Sequence, residues 1–252
     1  MATVREILGL LEAIAPLDKQ EEWDNSGLLA GHPDAEVRTV LLALDLTPAV
    51  LDEARRESAE LIVTHHPILF HARRNLREDD PEGKLLAELV RARIALIAMH
   101  TNFDNAENGV NDALCGLLAV RSAEKLEGGM RVGDVEPVPL SEFRIRVERA
   151  LGGPARMYGE ANRLIRRVAV MGGAGGSHFQ DALAAGADAY VTGEISYHAA
   201  LDCVAGGMCA LEAGHAATER PAIQLLNRGL QSAINVVQYN VRTIESAVLP
   251  FL

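Results

Sequence analysis

What the chain lacks narrows its chemistry first. No run approaches the roughly 20 apolar residues needed to cross a bilayer as a helix, so the 252-residue sequence reads as that of a soluble protein. Its three cysteines, Cys115, Cys203 and Cys209, are widely spaced and odd in number, which excludes a disulfide framework and suits buried thiols in a reducing compartment. Positive charge is also in deficit. With 24 basic against 35 acidic side chains the net charge is −11, a surface that repels a phosphate backbone on average and disfavours nucleic acid as a partner. No serine or cysteine nucleophile motif is present. The glycine run Gly172-Gly173-Ala174-Gly175-Gly176-Ser177 has neither the dinucleotide fingerprint nor the Lys-Ser/Thr of a phosphate-binding loop.

The composition that remains, 48% hydrophobic and 23% charged, is that of a folded domain or two. The amino terminus has an early charge and helical periodicity instead of a signal-peptide layout, so a cytoplasmic location is expected. Thr3 and Glu6 form a capping box, and Val4, Ile7, Leu8, Leu11 and Ile14 mark one helical face.

A repeated strand–helix grammar follows. Val40 to Leu44 reads as a strand, Thr47-Pro48 as a helix start, and Leu61 to Val63 as a buried strand stopped by Pro67. A helix near Gly83 to Ala92 precedes the apolar run Ile94 to Met99. This βαβαβ alternation predicts parallel strands with right-handed crossovers. It returns downstream at Arg166 to Met171 and Ala189 to Thr192, and VTHHP then faces VTGEI. The chain reads as an internal duplication, with His100 and Asp104 answering His215 and Glu219. Lys125 to about Glu136 is glycine-rich and turn-like and is expected to separate the halves. Pro139, Leu140 and Ser141 then open a helix containing Phe143, Ile145, Val147 and Leu151, closed by Gly152. The tail from Ala233 to Tyr239, rich in β-branched residues, is expected to return as a strand of the first sheet. The predicted architecture is α/β: residues 1–125 with about 230–252 form one domain, and 126–229 the second.

The chemistry gathers at strand ends. His65 and His66 terminate a buried run, which is where open α/β sheets place their binding crevices. His100 with Asp104, and His215 with Glu219, each set a carboxylate four residues after an imidazole, a spacing that shares one face of a helical turn. Five to six such groups exceed the four ligands of one tetrahedral ion, so two metals are expected. The metal-ligand candidates are His65, His66, Asp104, His215 and Glu219. His100 is either a ligand or an orienting partner. Glu194, His198 and His100 are candidate proton shuttles. Asp24 and Asn25 either hydrogen-bond near the metals or serve turn chemistry. The glycine run either offers amides to an anion or permits close helix packing, the second being favoured. The strip His71 to Arg77 reads as an exposed basic loop, with phosphate recognition as its alternative.

Taken together, EEWDNSGLLAG, IVTHHP, HTNFDNAENGVNDAL, VTGEISYH and GHAATE, in this order over essentially the whole chain, resemble the Nif-three-like dinuclear-metal family. Its bacterial members carry the name GTP cyclohydrolase one, type two. The resemblance implies metal ligands at His65, His66, Asp104, His215 and Glu219, with either Glu219 or Asp104 bridging two divalent ions (zinc, iron, manganese or nickel) in a cleft between the halves. It also implies a toroidal homohexamer, a trimer of dimers. The expected activity is ring opening of GTP by metal-bound hydroxide, with formate release. A metal-dependent phosphoesterase and a non-catalytic, ring-shaped metal-binding scaffold are the alternatives.

Overall fold

The protein is described over residues 2–248 by a computed structural model. Its backbone divides into two compact units. One contains the residues up to Ala106 and those from Ile223 onward; the other is Glu107–Ala222.

The first unit opens with β1 (Ala2–Thr3) and α1 (Val4–Ile14), followed by β2 (Gly27–Ala30), β3 (Glu36–Val37), β4 (Thr39–Ala43), α2 (Pro48–Arg56), β5 (Leu61–Thr64), α3 (Pro81–Arg91), β6 (Ala95–Ala98) and the single turn α4 (Thr101–Asp104). The expected capping box starts α1: Thr3 accepts from the Glu6 amide while Glu6 accepts from the Thr3 amide. Thr47 and Asp80 cap α2 and α3, each followed by a proline at the first helical position, where a missing amide costs nothing. The main sheet has the order Arg242–Glu245, β4, β5, β6, β2. The first four strands are parallel, and β2 runs antiparallel to β6. Every residue of β4, β5 and β6 is buried, as befits a parallel sheet covered on both faces. Leu41, Ile62 and Leu96 form a core with Val50, Leu51 and Leu89 from α2 and α3.

The second unit contains α5 (Val110–Leu118), β7 (Arg121–Lys125), β8 (Arg131–Pro139), α6 (Leu140–Leu151), β9 (Arg156–Tyr158), β10 (Leu164–Met171), α7 (Phe179–Ala184), β11 (Ala189–Thr192), α8 (Tyr197–Ala205), β12 (Cys209–Glu212) and the first turns of α9 (His215–Val237). Its six-stranded sheet has the order β7, β8, β10, β11, β12, β9, with β10, β11 and β12 parallel and the outer strands antiparallel. One core joins the sheet to Leu114, Leu118, Phe143 and Val147 of α5 and α6. The other joins it to Ala182, Ala200 and Cys203 of α7 and α8.

Three expectations differ from this architecture. The glycine-rich stretch expected to separate the halves contains most of β8, nine residues long, whose Val132, Val135 and Val138 are buried. The border lies before α5 instead, because β7 pairs with β8 and α5 packs on β10 within the second unit. Residues 233–237 are the last turn of α9 and not a strand. Leu226, Leu230 and Ile234 recur at helical spacing and are buried, and this period of four outweighs the β-branched composition. The strand that does return to β4 is Arg242–Glu245.

The duplication is visible as topology. Each unit has three consecutive parallel strands in chain order, and Met99 donates to the Thr64 carbonyl as Ala213 does to that of Thr192. The match is not residue for residue. His100 stands two places past the end of β6, and His215 three past the end of β12.

Candidate metal centre

In the first unit the ends of β5 and β6 bring three imidazoles together. The ring centroids of His65 and His66 are 4.9 Å apart, those of His65 and His100 5.2 Å, and those of His66 and His100 5.5 Å. One ligand atom from each lies within 4.8 Å of the others, close enough to hold a metal ion. Asp104, on α4, places its Oδ1 3.7 Å from His65 Nε2. His65 is 1% exposed, so its imidazole is fixed by packing as well as by hydrogen bonding.

The outward nitrogens decide which face of each ring meets an ion. His65 Nδ1 donates to the Met99 carbonyl at 2.8 Å. A carbonyl can only accept, so the proton sits on Nδ1 and the lone pair on Nε2. His66 Nδ1 lies 2.8 Å from Asp45 Oδ1, and His100 Nδ1 lies 2.7 Å from Asp24 Oδ1. These are the carboxylate–histidine pairings that orient ligands in metal sites and raise their basicity.

Asp24 is the hub of this half. Its side chain is 0% exposed, and besides His100 it accepts from the amide and hydroxyl of Thr101 and from the Ser26 hydroxyl. Burial pushes its carboxyl up, but the hydrogen bonds from His100 and Thr101 outweigh burial and hold it well below the usual carboxylate range. A carboxyl depressed by folding stabilises the fold above its unfolded value near 4, and that contribution is lost as pH falls through the folded value. Asp24→Asn is therefore expected to cost about 2–3 kcal/mol at neutral pH. The gap to the native chain should narrow only as the medium is acidified below about pH 4. Urea denaturation at neutral and acid pH measures both.

In the second unit the ends of β10, β11 and β12 converge. His215 and Glu219 share one face of α9, with Nε2 and Oε2 3.0 Å apart. His215 Nδ1 lies 2.8 Å from Glu194 Oε1, so the same orienting arrangement recurs. Glu219 is 4% exposed. Gly173 has φ +62°, and a Cβ there would overlap Glu219 Oε1 and come within 3.3 Å of His215 Nε2. Its amide donates to Thr218 Oγ1. Gly175 would meet the Tyr190 hydroxyl at 2.7 Å and Thr192 Oγ1 at 2.8 Å. The glycine run thus owes its composition to close approach by the site residue Glu219 and the buried Tyr190, not to helix packing alone.

The sequence-derived candidates fall into distinct places. His65, His66 and Asp104 meet in the first unit, joined by His100. His215 and Glu219 meet in the second. Glu194 sits behind His215 as its hydrogen-bond partner, and His198 is exposed on α8 beside Tyr197. Asp45 escaped sequence reading; its one local signal is its place just past β4 at the same end of the sheet. The basic strip is largely neutralised: Arg73 pairs with Asp80 and Glu82, and Arg77 with Asp79. The three cysteines are buried, and burial pushes the thiols of Cys115 and Cys203 up to about 12 and about 11, which makes them poor nucleophiles. Among the described residues no helix is long and apolar enough to cross a membrane.

The donor set fits transition-metal chemistry. Imidazoles suit zinc, iron, manganese and nickel, and carboxylates suit the harder of these and can bridge. The model of the Duf34/NIF3 (NGG1p interacting factor 3) family matches residues 2–250 of the chain. A GTP cyclohydrolase 1 type 2 homolog from Clostridium acetobutylicum is 31% identical over 96% of this chain and 95% of its own length. One of the same name from Streptomyces coelicolor is 35% identical over 89% and 84%. The crystal structure of a Bacillus cereus protein related to NIF3 superposes with a TM-score of 0.95 over 100% of this chain and 99% of its own; at 24% identity this likeness is one of fold.

Proposed function

The chain belongs to the Duf34/NIF3 family, and on that premise we propose that it is a dinuclear metal-dependent hydrolase acting on a nucleotide, with ring opening of GTP as the reaction to test first. The observation that carries this reading is the orientation of four imidazoles. The Nδ1 atoms of His65, His66, His100 and His215 each engage a carbonyl or carboxylate at 2.7–2.8 Å. Rings held this way present Nε2 as the ligating nitrogen. A ring kept only for packing also bonds its N–H, so what favours ligation is the gathering of three such rings, one ligand atom of each within 4.8 Å of the others.

His65, His66 and Asp104 in the first unit, and His215 and Glu219 in the second, are the proposed ligands. Five donors, six with His100, are more than one tetrahedral ion takes, which supports two ions per chain. Bound divalent ions supply Lewis acidity and bring the pKa of water down to about 7. The chain's own contribution is to fix ligand geometry. Asp45, Asp24 and Glu194 orient imidazoles, while Gly173 lets the Glu219 carboxylate stand close to the backbone. Glu194 bonds His215 through Oε1 and is exposed to solvent, so it is also placed to exchange protons with water.

The test is metal analysis followed by product analysis. Protein purified under metal-replete conditions is expected to hold about two ions per chain, and fewer than roughly one would overturn the dinuclear reading. Incubated with GTP, the loaded protein should release formate without phosphate. Phosphate without formate would replace ring opening by phosphoester hydrolysis, which paired metals also serve. Neither product would overturn the hydrolase and leave metal binding alone.

A further inference from the structure

We infer that Trp23 and Phe70 form a binding corner for the planar heteroaromatic ring of a free purine nucleotide, beside the imidazole cluster of the first unit. This rests on the nucleotide reading above and names the part of the ligand these residues would take.

Aromatic residues are only 4% of the chain, and Trp23 is its one tryptophan. Yet Trp23 is 60% exposed and Phe70 39% exposed, when large rings ordinarily go to the core. Their centroids are 5.7 Å apart with planes at 64°. Two rings inclined at 64° leave an incoming flat ring one face to stack on and one edge to meet, both favourable at centroid separations of 4.5–7 Å. The corner also adjoins the cluster: the His100 ring is 6.3 Å from Trp23 and 6.0 Å from Phe70. A heterocycle stacked there would reach the imidazoles.

Both rings sit on tethered backbone. Asn25 donates to the Leu69 carbonyl at 2.7 Å, tying the Trp23 turn to the segment that carries Phe70. Asp24, next to Trp23, is held by His100, Thr101 and Ser26. A preformed corner loses little entropy when a ligand arrives. Recognition through the base also fits the local charge. Arg73 and Arg77 are already paired with acids, and the chain carries a net charge of −11, which favours a mononucleotide over a polyanionic strand.

Because Trp23 is the sole tryptophan, its fluorescence reports on the corner directly. Zinc-loaded protein, excited at the red edge of indole absorption, is titrated with GTP and separately with inorganic triphosphate. GTP is expected to change the emission saturably, and inorganic triphosphate to leave it unchanged. By calorimetry, Trp23→Leu and Phe70→Leu should each weaken GTP binding roughly tenfold, the scale of one lost base–aromatic stack. Trp23→Phe should restore most of the affinity, and metal content should be unchanged in all three variants. The inference is overturned if GTP does not bind the loaded protein, if it binds without altering the emission, or if Trp23→Leu binds it as tightly. None of those results touches metal uptake. A protein that takes up no metal contradicts the proposed function instead.

Discussion

His66→Ala is expected to lower metal affinity by more than roughly 100-fold, the upper end of what even an orienting partner costs when removed. His66 suits this test better than His65. The His65 imidazole is 1% exposed and bonded to the Met99 carbonyl, so its removal would leave a cavity and an unpaired acceptor as well as a missing ligand. His66 lies at the end of β5 with a partly exposed side chain and Asp45 as its partner, so truncation should spare the core. Competition against a chelator gives the affinity, and thermal unfolding without metal gives the stability. An unchanged melting temperature with lost metal isolates the ligand role. Asp45→Asn provides a graded control, because an amide can accept from Nδ1 without the charge that raises imidazole basicity; a loss of about 10-fold is expected there. If His66→Ala retains metal at native affinity, this imidazole is not a ligand.

Gly173→Ala is the second large effect, and it works through a methyl group instead of a lost donor. The backbone at Gly173 has φ +62°, a region that costs a non-glycine residue roughly 1–2 kcal/mol. The new Cβ would also overlap the Glu219 carboxylate and crowd His215 Nε2. Glu219 is buried on α9 and the Gly173 amide is bonded to Thr218, so the loop and the helix cannot separate without losing that bond. We expect a stability loss of about 2–4 kcal/mol from strain and overpacking together. Metal affinity should fall because the carboxylate is displaced. Gly152→Ala is the control. It shares a positive φ of +74° but meets nothing within 4 Å, so it should show the strain without the metal effect. Denaturant unfolding and metal titration of both variants separate the two contributions. Equal metal affinity in Gly173→Ala and the native protein would remove the glycine from the site.

Much of the fold is legible locally. The helix start at Thr3 and Glu6, the helix start at Thr47-Pro48 and the runs that become β4, β5 and β6 follow from capping chemistry and apolar patterning within a few residues. The i, i+4 pairing of His215 with Glu219 is equally local, because helix geometry alone brings the two side chains to 3.0 Å. Elsewhere two local signals compete. Val236 and Val237 suggest a strand by composition, but the buried stripe Leu226, Leu230 and Ile234 holds the helix through the turn that ends on them. The glycines around 128–133 suggest a loop, yet Val132 packs into one core and Val135 and Val138 into the other, in a strand paired with both β7 and β10.

The sequence by itself determined the residue types and their place at strand ends: His65 and His66 after β5, His100 after β6, and His215 with Glu219 after β12. A buried apolar strand followed by a polar cluster is a short-range pattern, so no tertiary knowledge is needed to see it. Only the tertiary structure decided how those imidazoles are aimed. Asp24 reaches His100 across 76 residues, and Met99 reaches His65 across 34. Parallel pairing of β5 with β6 in the register Thr64 to Ala98 brings the chain after Thr64 alongside that after Ala98, and antiparallel pairing of β2 with β6 brings in the turn bearing Asp24. Such pairing is chosen by the packing of whole strands against helices. No spacing along the chain encodes which carbonyl or carboxylate will stand behind a given Nδ1, and that choice is what turns a histidine at a strand end into a nitrogen aimed at a metal.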